Sequence, residues 1–150
     1  MSTPKRIVLS SDHAAIDMRL AIAEHIAAQG HTVVDIGPVT PESTHYPKHG
    51  EAAARKVAGG EADLGIILCG TGQGIMMAAN KVPGIRCGVC SETFSARMIR
   101  QHNNANMLSI GARVVGDSLA MDIVDAFLSA EFEGGRHAMR VDMIMDIETL

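Results

Sequence analysis

The hexapeptide Cys69-Gly70-Thr71-Gly72-Gln73-Gly74 sets a thiol, a hydroxyl and three glycines side by side. Glycines at 70, 72 and 74 let a backbone turn tightly and aim N–H groups at an anion, with a helix N-terminus behind them. A cysteine at the positive end of a helix is favoured as thiolate, the form that removes protons or attacks carbon. Thr71 can donate a hydroxyl hydrogen bond into the same space. The same residues also suit a plain strand–helix turn with a small buried cysteine. A nucleoside-triphosphate loop is disfavoured, because no Lys-Ser or Lys-Thr follows the last glycine. A dinucleotide loop is disfavoured by its spacing, G-x-G-x-G in place of G-x-G-x-x-G, although Glu92 lies about twenty residues on, where a ribose-binding acid would stand.

Two histidines stand beside polar partners at element ends and suit proton transfer: His13 after Asp12, and His102 before Asn103. Either one alone is better read as a structural cap; it is their expected shared address at one sheet edge that favours the chemical reading. His25, His31 and His49 lie in exposed-looking contexts and are expected to be solvated. Arg136 and Arg140 are four apart, so a helix puts both guanidinium groups on one face. With Arg113 they suggest a small phosphorylated ligand, against the plainer reading of a solvated helix. Cys87 and Cys90 are three apart on an expected strand, where their thiols face opposite ways. They suit neither a disulfide nor a metal site, and no second cysteine pair completes one.

The elements that must carry these residues alternate. Strands are expected at 6–10, 31–36, 64–68, 85–89 and 107–110, as short β-branched or apolar runs. Helices are expected at 14–29, with Ile16, Leu20, Ala23 and Ala27 on its inner face and Gly30 as its stop. Others follow from Tyr46-Pro47 to about 58, over 72–80, and from a Ser91 cap to about 101. A fifth opens at Asp117, with Leu119, Ile123, Val124 and Phe127 inward, and a sixth runs from 136 to about 148 after Gly134-Gly135. Such alternation calls for right-handed crossovers and a parallel sheet covered on both faces. Ligands bind such sheets at the carboxyl ends of the strands. Ser10-Ser11-Asp12-His13, the Cys69 loop and Gln101-His102-Asn103-Asn104 are therefore expected to converge on one sheet edge.

Composition narrows the classes of partner. The 150 residues suit one domain, 1–150, with one real core; 47% are apolar and 20% charged. A net charge of −4 argues against nucleic acid or an anionic membrane surface as partner. The N-terminal apolar run is too brief for a signal peptide, and no run approaches a membrane span. Three cysteines without an export signal suggest a reducing cytoplasm.

Taken together, these segments resemble the ribose-5-phosphate isomerase B family, which also includes allose-6-phosphate and galactose-6-phosphate isomerases. The resemblance covers almost the whole chain. It rests on Ser11-Asp12-His13, Tyr46-Pro47, Leu68 with CGTGQG and Ile75, and Ala78-Ala79-Asn80-Lys81. It continues through Arg86, QHNNAN at 101–106, GARVVG at 111–116 and Glu133-Gly134-Gly135-Arg136-His137.

The resemblance implies a three-layer, Rossmann-like α/β/α domain around a five-stranded parallel sheet. It implies Cys69 as the base carrying a proton between C1 and C2 of the open-chain sugar, and His102 as the group aiding ring opening. The amides of Gly70, Thr71, Gly72, Gln73 and Gly74, with Asn103, would stabilise the enediolate. Asp12, His13 and Tyr46 would face the sugar, Thr71 would help in proton handling, and Arg113, Arg136, His137 and Arg140 would take the phosphate. No metal or cofactor is implied. The site is expected between two subunits of a homodimer or a dimer of dimers. One departure stands out: the family usually has an acid before Tyr46-Pro47, and here it is His45. It is read either as a loop substitution or as a sign of another sugar, such as erythrulose 4-phosphate or a hexose phosphate. A pocket that binds sugar phosphates without turning them over is the non-enzymatic alternative.

Overall fold

The computed structural model describes residues 3–150. Five strands form one parallel sheet: β1 (Arg6–Ser11), β2 (Thr32–Asp35), β3 (Leu64–Cys69), β4 (Cys87–Val89) and β5 (Met107–Gly111), in the order β2-β1-β3-β5-β4. Helices α1 (Ile16–Ala28), α2 (Tyr46–Ala58), α3 (Gln73–Ala79), α4 (Thr93–Gln101), α5 (Asp117–Ser129) and α6 (Arg136–Asp146) connect and follow them.

The strands read as continuous apolar runs because helices cover both faces. Alternation sorts their side chains: Ile7, Leu9, Ile66 and Leu68 pack with α1, α4 and α5, while Val8, Ile67 and Cys69 pack with α2 and α3. Each fully buried Ile or Leu contributes roughly 1.5–3 kcal/mol. Cys87 and Cys90 fall into opposite clusters, as the strand period requires, and burial is the main cause pushing the Cys90 thiol up to about 11 and Cys87 up as well. The open edge at β4 is closed locally by Asn80, whose carboxamide donates to Cys87 O at 2.9 Å and accepts from Cys87 N–H at 2.8 Å, standing in for a neighbouring strand.

Several expectations shift by local physics. The inner face of α1 is Met18, Arg19, Ile22 and Ile26, and Leu20 and Ala27 are exposed. Its ionisable residues fall on more than one side, Arg19 lying away from Asp17, Glu24 and His25, so no clean stripe marks its face. Leu119 of α5 is likewise exposed. Glu92, in place of Ser91, caps α4: its carboxylate accepts from Ser95 N–H, and those hydrogen bonds hold it below the usual carboxylate range. His31 is buried, with Nδ1 accepting from Lys5 N–H at 3.1 Å, and His49 is half-buried beside Thr44. His25 pairs with Asp125 at 2.8 Å.

Candidate active site

The chain winds one way from β1 to β2 and the other way from β3 onward, so the crevice between β1 and β3 is where a ligand site is expected. Both turns leaving these strands are tied together there: Asp12 N–H donates to Leu68 O at 3.2 Å. The Asp12 carboxylate accepts from Ala14 N–H at 2.9 Å and caps the short 3-10 turn His13–Ala15. His13 Nδ1 accepts from Thr44 N–H at 3.1 Å, which assigns the ring proton to Nε2 and makes that nitrogen the free donor.

Cys69 ends β3 with its side chain buried. Its Sγ accepts from Gly72 N–H at 3.1 Å, across a turn in which Gly72 takes φ +78°. Gly72 lies so close to Ile110, Gly111 and the Val89 side chain that a Cβ would collide with them. Ser109 of β5, fully buried, donates to Gly72 O at 2.6 Å and fixes the turn from below. Thr71 Oγ1 accepts from Gln73 N–H at 3.2 Å, leaving its hydroxyl hydrogen to donate outward. Two of the loop's amides are therefore already engaged within the turn. Gly74 gives way to the Tyr46 ring, whose atoms fill the space a Cβ would need. Arg113 N–H donates to Gly70 O at 2.9 Å, and its exposed guanidinium reaches alongside Gly70.

The second group of residues lies elsewhere. His102 follows α4 and precedes β5, so it belongs to the amino edge of the sheet. Asn106 O accepts from Gly65 N–H at the start of β3, whereas Gly111 pairs with Cys69 at its end. Five residues of strand at ~3.3 Å each separate the two levels by about 16 Å. The expected convergence on one edge does not occur within a chain, because α4 crosses back before β5 begins. At the amino edge His102 and His137 stack with ring centroids 4.2 Å apart and planes 10° apart. Glu133 Oε1 stands 3.7 Å from His102 Nε2 and 3.5 Å from His137 Nε2. Burial first, then the charges of His102 and Arg136, lower the His137 pKa from its ordinary 6.5. These three side chains are near enough to share an ion, but parallel rings send their in-plane lone pairs side by side, a poor cage for one. Asn103, Arg136 and Arg140 are exposed around them.

Sequence reasoning missed Arg19. It is fully buried beneath the β1 turn, donating to Ser11 Oγ at 2.6 Å and to Pro38 O, with Nε 3.0 Å from Asp35 Oδ1 at an angle too bent for a hydrogen bond. Nothing in its spacing marked it, because α1 shows no clean apolar stripe on which Arg19 would stand out.

An apolar cleft of about 480 Å³ lies between β4 and the end of α6, away from the Cys69 loop. The loop instead borders a hollow of about 360 Å³ reaching Thr71, Gln73 and Ser91, and His13 borders one of about 500 Å³ with Val39 and Ala112. The second outranks the apolar cleft as a ligand site because it carries polar groups able to orient a substrate.

A family model described as Ribose/Galactose Isomerase matches residues 7–144. Ribose-5-phosphate isomerase B of Escherichia coli (strain K12) is 49% identical over 144 residues, covering 96% of this chain and 97% of that protein. The structure of Clostridium thermocellum ribose-5-phosphate isomerase B superimposes with a TM-score of 0.95 at 51% identity, covering 96% of this chain and 97% of that one. That of ribose-5-phosphate isomerase B from Mycoplasma genitalium, with bound ribulose 5-phosphate, does so with 0.92 at 42% identity, covering 96% of each chain.

Proposed function

Since the chain belongs to the ribose/galactose isomerase family, we propose that it interconverts ribose 5-phosphate and ribulose 5-phosphate as an aldose–ketose isomerase. The observation that carries this reading is the Cys69 thiol at the end of β3, with the Gly72 amide 3.1 Å from Sγ and α3 behind it. The loop that carries it borders the hollow of about 360 Å³ reaching Thr71, Gln73 and Ser91.

In the ring-opening step the C1–O4 bond breaks, His102 puts a proton on O4, and a solvent water takes the proton of the C1 hydroxyl. Cys69 then removes the C2 proton; the electron pair forms the C1–C2 double bond and charge moves to O1. The thiol returns its proton to C1, and the O2 proton passes to O1 with the Thr71 hydroxyl beside it. Charge on oxygen grows in this step, so preorganised N–H donors are the largest catalytic term. With Gly72 and Gln73 amides engaged inside the turn, the remaining loop amides and Asn103 serve as those donors. Arg113, Arg136, His137 and Arg140 hold the phosphate, and Asp12, His13 and Tyr46 the hydroxyls.

The residues stand on opposite sheet edges, so a complete site needs a second copy: the Cys69 edge of one subunit faces the His102 edge of its partner. A two-fold axis makes two such sites at once. The exposed apolar side of α6, with Met139, Met143 and Ile144, supports a homodimer or a dimer of dimers. His45 supports a second reading, a different preferred sugar phosphate: it stands exposed at the start of α2 with no capping hydrogen bond, free to face a substrate. A side-by-side assay on ribose 5-phosphate, erythrulose 4-phosphate, allose 6-phosphate and galactose 6-phosphate decides between them. Fastest turnover of ribose 5-phosphate is expected; no turnover of any of the four would sink the isomerase reading.

A further inference from the structure

Arg86, on the turn entering β4, is half-buried and spends its guanidinium on the loop that follows His102. Nε donates to Asn103 O at 3.0 Å and Nη2 to Asn104 O at 2.7 Å, while Nη1 lies 3.2 Å from Met145 Sδ of α6. Among the described residues no carboxylate forms an ion pair with it. A guanidinium fork can grip two acceptors only when both point the same way. Successive carbonyls do so here because Asn104 takes φ +47°, the one non-glycine residue with positive φ among those described. Asparagine tolerates that region better than most residues, and it ends α4 as a left-handed stop.

The grip is reinforced on both sides. Asn106 Oδ1 accepts from Arg86 N–H at 2.8 Å and its Nδ2 donates to Gly84 O at 2.9 Å. Arg100 Nη1 donates to Ala105 O at 2.6 Å and Asn104 Oδ1 at 3.2 Å. Charge-assisted bonds of this kind are about twice as strong as neutral ones, and a cation at the C-terminal end of a helix gains from its dipole as well. What the clamp holds is the backbone immediately after His102.

We infer that Arg86 is a positioning residue for the reaction: its guanidinium clamps the carbonyls of Asn103 and Asn104 and so fixes where the His102 imidazole and the Asn103 carboxamide stand in the composite site. This rests on the isomerase reading above. A displacement of about 1 Å in such groups costs on the order of a hundredfold in rate. The clamp touches neither substrate nor reacting atoms, so its effect belongs in turnover rather than in phosphate affinity.

The test is a double-mutant cycle on ribose 5-phosphate with wild type, Arg86→Ala, His102→Ala and the double variant, plus Arg86→Lys. Inorganic phosphate serves as the binding probe and thermal unfolding as the fold control. Arg86→Ala is expected to lower kcat by about 10- to 100-fold, with phosphate inhibition within about twofold of wild type. Added guanidinium ion is expected to restore part of the loss, and Arg86→Lys to fall between, since an ammonium cannot grip both carbonyls in the same plane. In the His102→Ala background the same substitution is expected to cost much less. Equal losses in both backgrounds, or unchanged kcat in folded Arg86→Ala, overturn the inference. If Arg86→Ala does not fold, Arg86→Lys takes its place in the cycle. The His102 Cε1–H proton resonance gives a readout independent of activity. It is expected to move in Arg86→Lys while that of His25 stays; an unmoved His102 signal overturns the clamp, whereas an inactive wild type with a moved signal counts against the isomerase reading alone.

Discussion

Cys69 Sγ accepts a hydrogen bond from Gly72 N–H at 3.1 Å, across a turn that only a glycine at position 72 can make without strain. The thiol and the amide that donates to it are thus three residues apart and set by one backbone conformation. Cys69→Ala is expected to abolish measurable turnover of ribose 5-phosphate, a loss of more than about a hundredfold in kcat, while inorganic phosphate still binds and the unfolding temperature is held. Turnover near wild type would remove the thiol from the mechanism.

The two flanking glycines separate fold from function. Gly72→Ala places a Cβ against backbone atoms at positive φ and is expected to cost about 2 kcal/mol, read in denaturant unfolding. Gly74→Ala pushes only on the outer end of the Tyr46 side chain, which is partly exposed and can turn away. Its stability is expected to change little and its KM for ribose 5-phosphate to rise. The reverse pattern would mean that Tyr46 does not face the substrate.

Opposite sheet edges make a distinctive prediction. Cys69→Ala and His102→Ala are each expected to be severely impaired as purified proteins. Co-expressed, random pairing makes half of the dimers mixed, and each mixed dimer has one intact composite site, so about a quarter of wild-type activity returns. No recovery in demonstrably mixed dimers would place the whole site within one chain.

Arg136→Ala and Arg140→Ala each remove a cation from the proposed phosphate pocket. A charge-assisted hydrogen bond of roughly 1.5–3 kcal/mol corresponds to about a tenfold or greater rise in KM and in the phosphate inhibition constant. Inhibition measured with inorganic phosphate alone checks this, and unchanged constants in both variants would move the phosphate elsewhere.

Stability is expected to fall on the acid side through three histidines. His31, His49 and His137 all have pKa values lowered from the ordinary 6.5, with burial as the largest cause. The unfolded chain therefore binds more protons below about pH 6.5, and folding loses free energy as pH drops through and beyond that value. The unfolding temperature should be flat above neutrality and decline below it. His31→Asn, which keeps an acceptor for Lys5 N–H, is expected to lessen the decline; an unaltered slope would assign it to other groups.

The apolar runs of β1, β3 and β5 and the Tyr46-Pro47 helix start were legible because local period and turn chemistry act over a few residues. The Cys69 loop was legible for the same reason, as were the opposed thiols of Cys87 and Cys90. The buried face of α1 was not, since Arg19 lies away from Asp17, Glu24 and His25 and leaves no clean stripe, and it becomes explicable only once Ser11, Asp35 and Pro38 surround it. His31 and His49 looked solvated because burial depends on what packs over them.

By itself the sequence determined the kinds of chemistry available: a thiol on a glycine turn, histidines beside amides, and arginines at helical spacing. It also determined the α/β alternation that forces a parallel sheet. Tertiary structure alone decided how those groups are distributed. Each crossover returns the chain to the opposite end of the sheet, so Cys69 ends β3 at the carboxyl edge while His102 precedes β5 at the amino edge, and the two edges lie about 16 Å apart where strands rise ~3.3 Å per residue. That separation follows from strand direction rather than from the character of either residue.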